Sequence, residues 1–380
     1  MQNFIYQNPT QIIFGRGMIK ELSKRIPADK SVLFLYGGGS IKKNGVYAQV
    51  LAALAGRDTI EFGGVEANPQ LETCLKALDI VKRRSVGFIL AVGGGSVIDA
   101  GKFIAAAACF AGNDPWEIIL KKGSNVTGAL PLGVVLTIPA TGSESNGNAV
   151  ISRRDLQEKL MFVSPFVYPR FAVLDPESTF SVPQKQVRNG IVDSMTHVLE
   201  QYVTYPAAAP LQDRLAESIL QTLIEVGPVT LKEPTDYDAR ASFMFSATLA
   251  LNHLIGTGVP LDWSTHRLGV EITALYGLDH AETLAILLFG VWQYKFKDKE
   301  AKLLQYGQRV WQVDSAQKAI DRTEDFFRSL GMKTRFSEYG IPAQEAALRV
   351  SARFTQRGVV FGERGDITPQ AVENIICLRR

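Results

Sequence analysis

The chain has 380 residues, too many for one ordinary hydrophobic core, so its length favours roughly two domains. Apolar residues make up 46% of the sequence and charged residues 21%, a balance typical of globular proteins and not of disordered chains. The 41 basic residues exceed the 38 acidic ones by three and form no long run, so neither nucleic acid nor a membrane surface is expected as a partner.

The cysteines and the N-terminus indicate a cellular compartment. Cys74, Cys109 and Cys377 lie far apart and form no CxxC pair, which predicts neither a disulfide framework nor a thiolate metal site. The N-terminus lacks a basic segment followed by an apolar one, and no run of about 18 apolar residues occurs. We therefore expect a cytoplasmic protein.

Short apolar, β-prone runs alternate with helical patterns in the first half of the chain. The runs lie at residues 31–36, 86–92, 132–139 and 170–175. This alternation predicts a parallel sheet covered by helices. From about residue 184 the pattern changes to long helical periodicity, so the predicted domains are an α/β domain at 1–183 and an all-helical domain at 184–380.

The first predicted strand runs into a glycine-rich turn, LFLYGGGSIKKNG, at residues 33–45. A dinucleotide-binding domain that prefers NAD usually carries an acid near such a turn, where it binds the ribose hydroxyls. Here three glycines are followed by Ser40, Lys42 and Lys43 instead. The turn favours NADP, against an alternative in which both lysines only face water.

The second predicted strand also ends in glycines, in AVGGGSVIDAGKFIAAAA at residues 91–108. Gly93, Gly94 and Gly95 allow close backbone approach, and the free amides of a helix starting near Ser96 suit a pyrophosphate. A tight turn that needs only one glycine is the alternative. The glycine spacing matches neither the GxGxxG motif nor the P-loop motif. The prediction of a phosphate-bearing cofactor therefore rests on the glycines and the free helix amides, not on a known motif.

A helix is predicted at residues 190–203, GIVDSMTHVLEQYV, where apolar side chains recur at helical spacing. A second stripe at the same spacing carries Asp193, Thr196, His197 and Glu200. The side chains of Asp193 and His197 therefore lie one turn apart on one face. This face either contacts solvent or holds a ligand.

Only four histidines occur, and two of them, His266 and His280, fall in one segment at residues 262–288. Neutral imidazoles with one carboxylate form a typical site for Fe(II) or Zn(II). Asp193 and His197 complete such a set with His266 and His280. Taken singly, each histidine also fits an ordinary buried position and Asp193 a polar helix face, and spacing alone does not bring the two pairs together.

Eight segments resemble, in the same order, those of the iron-containing, group III alcohol dehydrogenases. They are NPTQIIFGRG, YGGGSIKKNGV, VEANPQLE, AVGGGSVIDAGKFIA, LTIPATGSESN, FAVLDP, GIVDSMTHVLEQYV and GLDHAETLAI. The resemblance covers essentially the whole chain and is strongest to the branch of NADPH-dependent aldehyde reductases and butanol dehydrogenases. It implies a dehydroquinate synthase-like fold, in which an α/β dinucleotide-binding domain with a parallel sheet and an all-helical domain hold cofactor and metal in a cleft.

The resemblance also implies roles for particular residues. The metal ligands, for Fe(II) or Zn(II), would be Asp193, His197, His266 and His280. The residues implied to bind NADP(H) are Gly37, Gly38, Gly39 and Ser40 at the adenosine ribose and its 2′-phosphate, Gly94, Gly95 and Ser96 at the pyrophosphate, and Asn68, Asp99, Thr137, Asn146 and Lys159 elsewhere. The implied reaction is hydride transfer between NADP(H) and an aldehyde or primary alcohol, in a homodimer or larger homo-oligomer.

One position departs from the family pattern. Family members commonly carry a second histidine one turn after the third ligand, and here Val270 occupies that place. A valine neither relays a proton nor hydrogen-bonds a substrate oxygen. We therefore expect an altered proton route and substrate range, with no catalytic residue beyond the metal ligands.

Two rival functions remain open from the sequence. A dehydroquinate-synthase-like lyase shares the two-domain plan but handles a phosphorylated substrate, which calls for several basic residues near the metal. Arg267 is the only one in the ligand-bearing segments, among apolar neighbours, so an apolar aldehyde fits better. The second rival, a non-catalytic NADP-binding protein, is motivated by Val270 alone.

Overall fold

The computed structural model describes residues 1–380 and divides them into two compact units. Gln7–Pro183 and Lys232–Asn252 form the first, here called the α/β unit. Met1–Tyr6, Gln184–Leu231 and His253–Arg380 form the second, the helical unit. The predicted domain boundary after residue 183 differs from this division in two places. Residues 1–6 belong to the helical unit, and residues 232–252 belong to the α/β unit.

The α/β unit contains all the strands. In chain order they are β1 (Gln11–Phe14), β2 (Val32–Tyr36), β3 (Thr59–Phe62), β4 (Phe88–Gly94), β5 (Leu132–Ile138), β6 (Asn148–Arg153), β7 (Glu158–Val163) and β8 (Phe171–Leu174). Six of them form one sheet in the order β1-β8-β5-β4-β2-β3, in which every pair is parallel. β6 and β7 form a separate antiparallel hairpin. The predicted parallel sheet is confirmed.

Alternation along the strands covers both faces of this sheet. In β2, Leu33 and Leu35 enter one hydrophobic core, whereas Val32, Phe34 and Tyr36 enter the core on the opposite face. Successive side chains of a strand point to opposite faces, so a run that is apolar throughout is buried on both. This explains why the central strands appear in the sequence as continuous apolar runs.

Fourteen α-helices connect and cover these strands or build the helical unit. They are α1 (Leu22–Arg25), α2 (Val46–Ala53), α3 (Leu71–Arg83), α4 (Gly95–Ala108), α5 (Trp116–Leu120), α6 (Gln184–Tyr202), α7 (Pro210–Lys232), α8 (Tyr237–Ala250), α9 (Ser264–Tyr276), α10 (His280–Tyr294), α11 (Phe296–Tyr306), α12 (Ala316–Ser329), α13 (Ala343–Arg357) and α14 (Pro369–Cys377). None of the helices has both the length and the apolar character that a membrane span requires.

Helix α8 belongs to the α/β unit although it lies among helices in the sequence. Met244 enters the core formed by α3, α4 and the sheet. Thr248 Oγ1 donates a hydrogen bond of 2.6 Å to the buried carboxylate of Glu144. Helical periodicity predicts that such a segment is a helix but does not say which core it joins, which is why a single domain boundary misplaced it.

Candidate metal centre and cofactor turns

Four side chains of the helical unit, here called the ligand set, converge on one point. The Nε2 atoms of His197, His266 and His280 lie 3.6, 3.7 and 3.8 Å from Oδ1 of Asp193. The side chains of Asp193 and His197 are only 5% and 4% exposed. These separations exceed the length of an ordinary hydrogen bond and are ion-pair distances when an imidazole is protonated. The structure thus brings together all four predicted ligands.

Three helices position the ligand set. Asp193 and His197 lie one turn apart on α6, which is buried along nearly its whole length, so the polar stripe does not face solvent. His266 lies in the first turn of α9, and His280 is the first residue of α10. α10 packs against both α6 and α9, and this packing joins the two pairs that the sequence left separate.

The geometry fits a divalent metal ion. Ligand atoms about 2.1 Å from a tetrahedral ion lie about 3.4 Å from one another, close to the three separations measured here. Asp193 Oδ1 and His266 Nε2 are buried and have no hydrogen-bond partner, which is unfavourable unless a ligand satisfies them. The ligand atoms of Asp193, His266 and His280 lie within 4.8 Å of one another; His197 is not part of this trio, although its Nε2 lies 3.6 Å from Asp193 Oδ1.

Electrostatics in the ligand set favour a cation. Burial raises the pKa of Asp193, but the three imidazoles outweigh burial and hold the pKa well below its usual range. Burial lowers the pKa of His197 to about 4, against the opposing pull of Asp193. For His266 burial also lowers the pKa, but Glu200 and Asp193 outweigh it and raise the pKa to about 9. The net negative field at His266 is the field that a metal ion would neutralise.

The sequence did not assign a role to Glu200, which lies in contact with the ligand set. Its carboxylate accepts a hydrogen bond from Nδ1 of His266 and bonds of 2.5 and 3.1 Å from the backbone N–H groups of Thr265 and His266. Glu200 follows Asp193 by seven residues and therefore lies on the same helical stripe. The sequence thus indicates Glu200 by its position on the stripe. Helical spacing does not reveal which groups each side chain of the stripe contacts.

Aromatic and apolar groups surround the imidazoles. The Trp263 ring lies edge-on to the His197 and His266 rings, with centroid distances of 6.3 and 5.5 Å. Val270 lies one turn after His266 on α9. The guanidinium of Arg267 lies 5.6 Å from the centroid of the Phe361 ring. The basic residue nearest in sequence to the ligands thus lies against an aromatic ring.

The second glycine turn leads from β4 directly into α4. No side chain caps the helix N-terminus, so its first backbone amides have no capping acceptor. A Cβ at position 95 would collide with the Thr141 side chain, and one at position 94 would lie 3.0 Å from Ile138 Cβ. Asn68, in the left-handed region, donates its backbone N–H to Ser96 Oγ at 3.3 Å. The two glycines thus let Ile138 and Thr141 pack close to the turn, and the uncapped helix N-terminus is the feature suited to a phosphate group.

The first glycine turn, Gly37–Ser40, follows β2. Gly39 has a φ of 90°, which favours glycine, and a short 3-10 helix begins at Ser40. Lys42 does not simply face water, because its ammonium lies 4.9 Å from the Tyr47 ring centroid and 4.0 Å from Glu61 Oε2. The positive charge beside this turn is therefore partly balanced by Glu61, and the Lys42 side chain stays 48% exposed.

Two further predicted cofactor residues, Asp99 and Asn146, belong to a buried network with Lys102 and Ser143. Lys102 Nζ donates to Ser143 Oγ at 2.8 Å and to Asn146 Oδ1 at 3.1 Å, and Ser143 Oγ donates to Asp99 Oδ1 at 2.5 Å. Burial raises the pKa of Asp99 and lowers the pKa of Lys102 to about 8. A cofactor contact at these residues stays a prediction, as it does for the buried Thr137 and Lys159.

Comparison with known proteins gives consistent matches along the chain. Residues 9–176 match the family model described as iron-containing alcohol dehydrogenase, and residues 188–377 match that of the Fe-containing alcohol dehydrogenase family, C-terminal. The chain is 52% identical to the NADPH-dependent aldehyde reductase YqhD of Escherichia coli, with 97% of each chain covered. It is 42% identical to a probable NADH-dependent butanol dehydrogenase 1 of Bacillus subtilis, with 99% of each covered.

The chain belongs to the iron-containing alcohol dehydrogenase family. A crystal structure of Escherichia coli YqhD superimposes with a TM-score of 0.97 at 50% identity, covering 100% of this chain and 99% of that one. The structure of NADH-dependent butanol dehydrogenase A from Thermotoga maritima gives a TM-score of 0.95 at 33% identity, with the same coverage. The chain is thus an NAD(P)-dependent oxidoreductase of the alcohol dehydrogenase and aldehyde reductase class, and neither rival function is favoured.

Proposed function

We propose that this protein reduces small apolar aldehydes to primary alcohols with NADPH at a single metal centre formed by the ligand set. The observation that carries the proposal is the convergence of three imidazole Nε2 atoms on Asp193 Oδ1 at 3.6 to 3.8 Å. A donor set of three imidazoles and one carboxylate suits Fe(II) and Zn(II) alike.

The chain's own residues do the binding and positioning in this proposal. A divalent metal supplies an electrophile for the carbonyl oxygen, and NADPH supplies the hydride. Asp193, His197, His266 and His280 hold the metal from three helices, so its position is fixed by rigid elements. The Trp263 ring beside His197 and His266, and Val270 one turn after His266, favour an apolar substrate.

Seven of the proposed cofactor residues lie on two turns. The uncapped N-terminus of α4 at Gly94, Gly95 and Ser96 holds the pyrophosphate. The turn at Gly37–Ser40 holds the adenosine ribose and its 2′-phosphate, and Lys42 beside it supports a preference for NADP(H) over NAD(H). The remaining proposed contacts are Asn68, Asp99, Thr137, Asn146 and Lys159.

The proton that completes the alcohol has no imidazole donor at position 270. Val270 has no ionisable group, so we assign the proton to water or to a ribose hydroxyl of the cofactor. The similar proteins named above include both an NADPH-dependent and a probable NADH-dependent enzyme, so cofactor preference needs its own measurement.

The test is NADPH consumption with butanal, using full-length protein stripped of metal and then given Fe(II) or Zn(II) separately, beside the same assay with NADH. The proposal predicts that one or both metals restore turnover and that NADPH is used with the higher kcat/KM. Metal binding without reduction of any aldehyde would contradict the proposed activity. Equal use of NADH would contradict only the cofactor preference.

The family resemblance extends the proposal to assembly and location. We propose a homodimer or larger homo-oligomer, to be measured by light scattering of the purified chain. We further propose that the protein acts in the cytoplasm, to be tested by cell fractionation.

A further inference from the structure

The carboxylate of Glu200 reaches from α6 to the first turn of α9, where it contacts three N–H groups at once. One oxygen accepts from the backbone N–H of Thr265 at 2.5 Å. The other accepts from the backbone N–H of His266 at 3.1 Å and pairs with His266 Nδ1. The Glu200 side chain is only 2% exposed, so these contacts are made away from water.

The contact with Nδ1 has a consequence for the opposite ring nitrogen. An ionised carboxylate only accepts hydrogen bonds, so His266 Nδ1 must carry the proton. In the neutral ring Nε2 then has a free lone pair, and Nε2 is the atom that lies 3.7 Å from Asp193 Oδ1. A carboxylate behind a metal-binding imidazole fixes both its tautomer and its orientation.

Glu200 also accepts hydrogen bonds from the backbone on both sides of Trp263, which has a strained conformation. Asp262 donates its backbone N–H to the Glu200 carbonyl at 3.0 Å, and the Glu200 carboxylate binds Thr265 and His266 on the other side. Between them Trp263 has a φ of 59°, a conformation that a bulky residue keeps only when its surroundings impose it. The start of α9 is therefore anchored to α6, the helix that carries Asp193 and His197.

From these contacts we propose that Glu200 is a positioning residue for the metal centre: it holds His266 in the Nδ1–H tautomer and fixes the start of α9 against α6. The inference rests on the proposed metal site and adds to it a residue that does not itself touch the ion. On α6, Asp193 and His197 then bind the metal, and Glu200 aligns His266, the ligand from α9.

The substitution Glu200→Gln tests the tautomer directly. A glutamine that keeps its oxygen on Thr265 turns its NH₂ group toward His266 Nδ1 and favours the tautomer with the proton on Nε2, where it blocks ligation. Loss of such an outer contact typically weakens metal affinity by about 10- to 100-fold. We expect that range for Co(II) binding to E200Q, together with a shifted visible absorption spectrum of the bound Co(II).

Glu271→Gln is the matched control. Glu271 is also a buried carboxylate and lies on the same helix as His266, but it pairs with Arg353 and Arg357 at 2.5 Å. E271Q removes a charge from α9 without touching the His266 ring. It should lower thermal stability and leave both Co(II) affinity and the Co(II) spectrum as in the unaltered protein.

Co(II) titrations of the unaltered chain, E200Q and E271Q, with folding checked by circular dichroism, separate the outcomes. Weaker binding and a shifted spectrum in E200Q alone support the positioning role. A folded E200Q with unaltered Co(II) affinity and spectrum overturns the positioning role of Glu200 but not the proposed metal site. If the unaltered chain binds no Co(II), the positioning role and the metal site are both overturned. If E200Q does not fold, Glu200→Asp, which withdraws the carboxylate by one methylene, must show the shifted spectrum, and an unshifted one overturns the inference.

Discussion

The buried network of the α/β unit and the ligand set of the helical unit are both clusters of buried polar side chains, but they differ in how these groups are satisfied. In the buried network, Lys102 donates to Ser143, Asn146 and the Asn148 carbonyl at 2.7 to 3.1 Å, and Asp99 accepts from Ser143 and from the Val150 backbone. Every named donor has an acceptor within the protein.

The ligand set, here called the open cluster, lacks such complete internal bonding. Asp193 Oδ1 and His266 Nε2 are buried without hydrogen-bond partners, and the three imidazole Nε2 atoms lie 3.6 to 3.8 Å from Asp193 Oδ1. Because an unsatisfied buried polar group is unfavourable, imidazole and carboxylate atoms left unpaired together fit a metal-binding site, whereas the buried network, a closed cluster, fits structural support. The comparison predicts that changes in the open cluster act on metal binding and that changes in the closed one act on folding and, through the proposed contacts of Asp99 and Asn146, on the cofactor, but not on the metal.

The largest effect is expected from Asp193→Asn. It removes the only negative ligand, so metal binding should be lost and kcat/KM for butanal should fall on the order of a thousandfold. Asp99→Asn is the same substitution in the closed cluster and should leave metal affinity unchanged while lowering the free energy of unfolding by about 1–3 kcal/mol. Metal titration and urea unfolding of both variants test this expectation. Loss of metal binding in D99N would contradict the distinction between the two clusters.

Lys102→Met should give the next largest effect on stability. Without the ammonium, Ser143 Oγ and the Asn148 carbonyl lose a donor, whereas Asn146 Oδ1 keeps the Asn148 N–H. An acceptor left unpaired costs about 1–3 kcal/mol, so we expect a loss of about 2 kcal/mol or more in urea unfolding. Lys24→Met is the control, since Lys24 is exposed and pairs only with Glu21. A K102M protein as stable as K24M would show that the buried network does not support the fold.

Gly95→Ala should have a smaller effect that is concentrated on the cofactor. The added Cβ collides with Thr141, and forced overpacking of this kind typically costs about 1–3 kcal/mol. We expect a raised KM for NADPH with little change in Co(II) affinity. Gly128→Ala serves as control because a Cβ there meets nothing within 4 Å. An unchanged KM in G95A would contradict the proposed pyrophosphate position.

The smallest effect is a pH dependence of stability. Burial lowers the pKa of Lys102 to about 8 from its usual 10.5, so above pH 8 the unfolded chain binds more protons at this residue than the folded one. Its contribution to the free energy of unfolding therefore rises with pH between these values, by about 1 kcal/mol from pH 8 to 9. The stability difference between the unaltered protein and K102M should widen over this interval in urea unfolding, and a constant difference would contradict the shift.

The central strands could be predicted from the sequence and the outer ones could not. β2, β4, β5 and β8 lie within two residues of their predicted bounds, because continuous apolar runs ending in turns are typical of strands buried on both faces. β1 and β3 are four-residue edge strands with partly exposed side chains, and the hairpin β6–β7 was also missed. Short, half-exposed strands lack the apolar run that identifies a central one.

For the metal centre, helical spacing placed Asp193 and His197 together but could not join them to His266 and His280. That juxtaposition depends on how α10 packs against α6 and α9, which is tertiary information. Glu200 was visible on the stripe but not assigned, because its partners lie 65 and 66 residues away in the chain. The metal-binding chemistry of these residue types could thus be predicted from the sequence, whereas the contacts of individual side chains could not.

The central claim is that the ligand set holds one metal ion, and anomalous X-ray scattering from crystals grown with Zn(II) tests it most directly. We predict a single strong peak about 2.0–2.2 Å from Asp193 Oδ1 and from the Nε2 atoms of His197, His266 and His280. A peak at a different group of residues, or no peak at this one in crystals shown by fluorescence to contain zinc, would contradict the account.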